Sequence, residues 1–249
     1  MGLLFTFILG IFIILGASIV FLTKNNDRFI DFSMSLAFGV MGMLILIDLL
    51  PEAYEVIDSG NFFYNILYIV VGAGIGFLLL KILDYFIPDH DEEDDSLEES
   101  YKNLKHIGLV SSIALVIHNI VEGMAIYLLI TSDFKAGLLA CIGVGLHNIP
   151  LGMVITSAFY KASQSKKNTF FIILGISLST FIGGLFIYLF PLSSGIEVLE
   201  KVSLTLTIGM LSYILSMELL PKLIQMKNKK IMISGMILGI LLLLMTLFL

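Results

Sequence analysis

The chain has 249 residues, of which 58% are hydrophobic and 14% are charged, and its mean hydropathy is +1.01. This composition excludes a water-soluble globular protein, because soluble domains carry about 25% charged residues, and it indicates that most of the surface faces lipid. The net charge of −6 comes largely from one acidic loop, and the single cysteine, Cys141, excludes an intrachain disulfide.

Eight apolar stretches are each long enough to cross the bilayer core as a helix, for which about 20 residues are needed. In chain order they cover residues 3–22, 33–53, 62–86, 107–130, 136–160, 169–190, 198–221 and 230–249. The first stretch lacks a basic segment before it and a cleavage pattern after it, which indicates a retained helix rather than a signal peptide. The sequence therefore predicts an all-α membrane protein with eight transmembrane helices, forming a single domain over residues 1–249.

Basic residues lie almost entirely on one side of the predicted membrane. The loops after the first, third, fifth and seventh spans, together with the end of the third span, contain Lys24, Arg28, Lys81, Lys102, Lys105, Lys161, Lys166, Lys167, Lys222, Lys227, Lys229 and Lys230. The opposite loops contain Lys135 and Lys201. Because basic residues concentrate in cytoplasmic loops, we expect both termini outside and an acidic cytoplasmic loop at residues 88–106.

Residues 89–99 of that loop are too charged to fold alone. The simpler interpretation is a solvated linker. The alternative is a weak cytoplasmic trap for cations, in which carboxylates and His90 would hold a divalent metal loosely.

Two short matches indicate an internal repeat. Asp48-Leu-Leu-Pro51 lies in the second span and Glu218-Leu-Leu-Pro221 in the seventh, so each places a carboxylate three residues before a proline. These two spans run in opposite directions. The matches therefore predict inverted repeats of helices 1–3 and 6–8 around central helices 4 and 5, an architecture with which many transporters build a midplane site.

The central helices carry a repeated polar motif. His118-Asn119-Ile120 in the fourth span and His147-Asn148-Ile149 in the fifth lie near the middle of apolar stretches. Buried polar groups at this depth are costly and mark functional sites. The alternative is a purely structural hydrogen bond between helices.

His118 and Glu122 are four residues apart and therefore share one face of a helix. Imidazole and carboxylate together suit borderline divalent ions such as zinc or ferrous iron, and His147 supplies a second imidazole. Pro150 cannot bond to the carbonyl of Leu146, which leaves a backbone oxygen next to this motif. The pattern predicts a metal site within the membrane. Asp48 and Glu218 are candidates for the ion path, or they lie near helix ends and meet water.

The motifs His118-Asn119-x-x-Glu122-Gly123 and His147-Asn148-Ile149-Pro150-x-Gly152, with the Leu-Leu-Pro-Glu sequence ending at Glu52, resemble the ZIP (Zrt/Irt-like) family of divalent metal transporters. The resemblance implies eight helices with both termini outside and a metal centre between helices four and five. It also implies that His118, Glu122 and His147 are primary ligands, with Asn119 and Asn148 helping a second ion. The expected substrate is Zn²⁺, or iron or manganese, moved into the cytoplasm through the cell membrane.

The chain departs from the family pattern at three positions. The family usually has Glu where this chain has Leu151, often has proline at Val121, and in many bacterial members has a Glu-Pro near Thr180. Two carboxylates that would hold a second metal are therefore missing, and we infer a single-metal or weakened centre.

The expected mechanism is alternating access by a protein that is not an enzyme and that transports a metal ion as its substrate. A metal sensor, an intramembrane zinc-dependent hydrolase and a haem carrier with His118 and His147 as axial ligands are the alternatives. The partners expected are the metal ion and the lipid bilayer, with no nucleic acid. A homodimer would be unsurprising for a helical transporter.

Overall fold

A computed structural model describes residues 1–23, 27–57, 59–86, 97–163, 165–190 and 196–246. Eight helices in it are long and apolar enough to cross a membrane, which confirms the predicted fold class. We number them α1 to α8 in chain order. They are Gly2–Leu22, Asp27–Ile57, Phe62–Phe86, Leu97–Ser132, Phe134–Ser163, Lys166–Leu189, Ile196 to Gln225, and Lys229–Thr246.

Helix α4 begins earlier than the apolar pattern indicates. It starts at Leu97, ten residues before the expected span, because residues 97–106 are rich in Glu, Lys and Leu, which favour helix without being apolar. The later part of the predicted 88–106 loop is therefore helical. Its most acidic part, residues 87–96, lies outside the described residues.

Helices α2 and α7 each contain one widened, π-helical segment. These segments are Ile45–Leu49 in α2 and Ile214–Leu219 in α7. Each ends shortly before a proline, Pro51 or Pro221, whose missing N–H interrupts the regular hydrogen-bond pattern. Single π-helical turns occur often at functional sites, and the two carboxylates expected on the ion path, Asp48 and Glu218, both lie in them.

The helices form two groups. Helices α1, α4, α5 and α6 pack against one another, and we call them the central bundle. The remaining four form two pairs, α2 with α8 and α3 with α7, which meet where α2 contacts α7, and we call these the outer bundle. Within the central bundle α4 and α6 approach closely, because Gly123 lies against the carbonyl of Thr180 and Gly183 against that of Ile120. This packing fixes the middle of α4, where the polar motif lies.

Candidate metal centre

The two central helices bring three ligating side chains together. His118 and Glu122 lie one turn apart on α4, and His147 faces them from α5. One ligand atom of each lies within 4.8 Å of the others, and all three residues are buried. The structure thus assembles the group expected from the sequence.

The carboxylate of Glu122 is the centre of this arrangement. Its Oε1 lies 3.0 Å from Nε2 of His147 and 3.3 Å from Nε2 of His118. The two imidazole rings are tilted by 38°, with centroids 6.3 Å apart. Two nitrogens and an oxygen that converge in this way form a donor set typical of zinc. The same geometry disfavours the haem alternative, because both ring nitrogens face one carboxylate oxygen rather than opposite faces of a porphyrin.

The two asparagines beside the histidines are fully buried but have different partners. Asn148 donates from Nδ2 to Oε2 of Glu122 at 3.0 Å, whereas Asn119 donates to the backbone carbonyl of Ile176 on α6 at 3.3 Å. The side-chain oxygens of both asparagines are buried without a hydrogen-bond partner. Asn148 therefore contacts the ligand group directly, while Asn119 links α4 to α6.

A cavity of about 560 Å³ reaches the three ligands from one side of the membrane. It extends to Glu55 near the end of α2 and to Ser132 at the end of α4. Asp48 lines it together with Glu52, so the carboxylate predicted for the ion path shares this cavity with the three candidate ligands. An ion in the cavity would meet carboxylates from the outer bundle and the three ligands from the central bundle.

Glu218 lies in a second polar cluster at the other side of the membrane. Its carboxylate is grouped with Asp84 at the end of α3 and His106 near the start of α4, all within 4.8 Å. Asp84 accepts a hydrogen bond from the hydroxyl of Tyr213 and lies 2.6 Å from Nε2 of His106. Glu218 is not among the residues that line the large cavity, and it lies toward the opposite helix ends.

Sequence reasoning did not single out Asp84, His106 or Glu55. Asp84 and His106 flank the acidic loop and look like part of its charge pattern. Asp84 lies in the apolar end of the third predicted span and His106 directly before the fourth, where a charged or imidazole side chain needs a partner.

Comparison with known proteins gives the family of this chain. The sequence model of the ZIP zinc transporter family matches residues 87–247. The chain belongs to the ZIP zinc transporter family. It is 27% identical to the zinc transporter ZupT of Chlorobium chlorochromatii over 254 residues, which cover 96% of this chain and 94% of that protein.

Two further zinc transporters are similar to this chain. The zinc transporter ZupT of Chlorobium luteolum is 27% identical over 260 residues, covering 96% of this chain and 93% of its own. The zinc transporter ZupT of Streptococcus mutans serotype c is 28% identical over 163 residues, which cover 63% of this chain and 62% of that protein. Membership in this family confirms a multi-pass membrane protein of the divalent metal transporter class rather than an enzyme.

Proposed function

We propose that this ZIP protein carries a divalent transition-metal ion, zinc first, across the cell membrane into the cytoplasm through His118, Glu122 and His147. One observation carries the proposal: the three ligand atoms lie within 4.8 Å of one another, and the same three residues line a large cavity. A buried carboxylate needs a charge partner, and a divalent ion supplies it. The relatives named as zinc transporters make zinc the first ion to test.

The position of the cavity supports access from outside the cell. It extends to Ser132 and Glu55, at the helix ends opposite the loops that carry most lysines. By the positive-inside rule those loops are cytoplasmic, so the cavity opens outward and both termini lie outside. Asp48, Glu52 and Glu55 give the cavity negative charge, which raises the local concentration of cations.

The cytoplasmic side is held together by polar contacts between the two bundles. His106 of the central bundle lies 2.6 Å from Asp84 of the outer bundle, and Lys161 lies 2.9 Å from Asp27. An ion could leave inward only after these helix ends separate. We therefore propose alternating access in which the bundles move relative to each other, with Asp84, His106 and Glu218 as ligands on the exit path.

The helix pairing supports the inverted repeat on which such a movement depends. If α1–α3 are matched with α6–α8, the contact of α1 with α5 corresponds to that of α6 with α4. The pairing of α2 with α8 corresponds in the same way to that of α7 with α3. The π-helical segments also fall in the matched helices α2 and α7.

The test is zinc uptake into proteoliposomes that contain a trapped zinc-sensitive dye, comparing the native protein with Glu122→Gln. We expect uptake by the native protein and none above empty vesicles for the variant. Asp133→Asn is the matched control. It also exchanges an acid for an amide, but on an exposed residue whose Oδ1 accepts from the backbone of Lys135 and Ala136, a role that Asn fills equally well.

The outcome separates the transporter from its alternative. Equal uptake by Glu122→Gln and the native protein would refute the proposed site. Tight zinc binding by the native protein without uptake would instead favour a metal sensor. The homodimer stays a prediction, which cross-linking in the same vesicles would address.

A further inference from the structure

Asn148 contacts Glu122 through its amide nitrogen. Its Nδ2 donates to Oε2 of Glu122 at 3.0 Å, while the other oxygen, Oε1, faces both histidines. The amide therefore holds the carboxylate in one rotation and directs a single oxygen toward the imidazoles. A hydrogen bond of this kind to a ligating carboxylate is a common way of fixing a metal ligand.

The ligand group itself contains little negative charge. The group His118, Glu122 and His147 contains one carboxylate, and Leu151, one turn beyond His147 on α5, is fully buried and apolar. Thr180 of α6 is also fully buried, and its hydroxyl has no hydrogen-bond partner. Neither Leu151 nor Thr180 carries a charge, and the carboxylate of Asp48, which lines the cavity, lies outside the ligand group.

We propose that the centre binds one divalent ion at a time, with Asn148 as a positioning residue; this inference rests on the proposed function of the same site. A single carboxylate balances half the charge of one divalent ion. A second divalent ion beside the first would meet strong repulsion in a medium of low dielectric constant, with no second carboxylate in the ligand group to offset it. By donating its N–H to Oε2, Asn148 leaves Oε1 as the carboxylate oxygen that faces both histidines.

The first measurement is the ratio of zinc to purified native protein after removal of free metal, obtained by mass spectrometry of the metal and by titration calorimetry. We expect one zinc ion per chain at this site. Two ions that are both lost in Glu122→Gln would overturn the inference while leaving the proposed function intact. No zinc binding and no uptake by the native protein would refute the proposed function itself, so the two failures are distinguishable.

Two variants at one position test the role of Asn148. In Asn148→Ala the ratio should stay at one, with zinc affinity about 10- to 100-fold lower, as expected for loss of a group that orients a ligand. The visible spectrum of bound Co²⁺ should keep its band positions, because the ligand atoms are unchanged. Shifted bands would show that the amide itself binds the ion and would overturn its assignment as a positioning residue.

Asn148→Asp has the same shape but exchanges the N–H donor for a second negative oxygen beside Oε2 of Glu122. If charge limits the number of ions, this variant should bind two zinc ions. A ratio that stays at one would contradict the charge argument. Asn65→Ala is the control: Asn65 is equally buried, its Oδ1 accepts from Ser59 far from the centre, and zinc affinity should not change.

Discussion

Nε2 of His147 lies 3.0 Å from Oε1 of Glu122, although the two residues stand 25 positions apart on different helices. The contact joins α4 to α5 at bilayer depth. It brings donor atoms from two helices close enough to contact one ion.

Removing the imidazole of His147 should therefore weaken zinc binding more than any change outside the centre. For His147→Gln we expect zinc affinity to fall by more than about 100-fold, because loss of a direct ligand exceeds the 10- to 100-fold effect of a supporting group. Equilibrium titration with a competing chelator measures this. His90→Gln, in the acidic segment outside the described residues, is the comparison; a similar loss there would assign that segment a direct part in binding.

Asp48 should act on capture of the ion rather than on its binding at the centre. It is exposed to the cavity and lies outside the ligand group. Asp48→Asn is expected to raise the KM for zinc uptake by up to about tenfold, through loss of negative potential in the cavity. The maximal rate should hardly change.

Salt dependence distinguishes this explanation from a direct contact. The difference between Asp48→Asn and the native protein should shrink as ionic strength rises, because added salt screens exposed charges. A lowered maximal rate at saturating zinc, independent of salt, would show that Asp48 takes part in a later step.

Asp84 should keep the cytoplasmic side closed. A hydrogen bond to a charged group contributes about 1.5–3 kcal/mol. Weakening it in Asp84→Asn should shift the balance toward an inward-open form by about tenfold, the factor that corresponds to 1.4 kcal/mol. A single cysteine would report the opening of the proposed cytoplasmic side. We would introduce Leu104→Cys in a Cys141→Ser background, because Leu104 lines a groove at these helix ends together with Lys161 and Asp27.

The readout is the rate at which a membrane-impermeant thiol reagent labels this cysteine from the cytoplasmic side. Labelling should be faster with Asp84→Asn and unchanged with Asp133→Asn, which lies at the other side of the membrane. Equal rates in all three proteins would show that the contact between Asp84 and His106 does not hold the helix ends closed.

Gly183 should be needed for the contact between α4 and α6. A Cβ atom there would collide with the backbone carbonyl of Ile120, which cannot move without displacing α4. Gly183→Ala is expected to cost about 1–3 kcal/mol, the usual range for overpacking. The thermal unfolding midpoint in detergent measures the effect.

Gly175 of the same helix provides the control for this substitution, because a Cβ atom there would meet nothing within 4 Å. Gly175→Ala should leave the midpoint unchanged or raise it slightly, since alanine favours helix over glycine. If both variants were equally destabilised, helix packing at Gly183 would not be the cause.

Much of this molecule can be predicted from its sequence because membrane helices are long and uniformly apolar. Eight spans follow from hydropathy alone, and the four-residue spacing of His118 and Glu122 places both on one face of α4. That His147 joins them depends on how α4 and α5 pack. The matched position of the two motifs indicated it, because both lie near the middle of their spans.

The remaining contacts depend on tertiary structure that local spacing does not report. No sequence pattern shows that Asn148 turns its amide toward Glu122 while Asn119 turns to the carbonyl of Ile176. The contact between Asp84 and His106 joins helices on either side of an acidic segment. In the sequence these two residues cannot be distinguished from the other polar residues of that segment. Hydropathy does not predict the helical start at Leu97, because it measures affinity for lipid and not the tendency to form a helix.

All three ligands of the centre come from the central bundle, although the cavity above them is lined by both bundles. A relative movement of the bundles would consequently carry His118, Glu122 and His147 together. The ion would keep its coordination while the water-filled space around it changed sides. Its dehydration would then fall at capture, before the movement, and the exchange to Asp84, His106 and Glu218 would come after it.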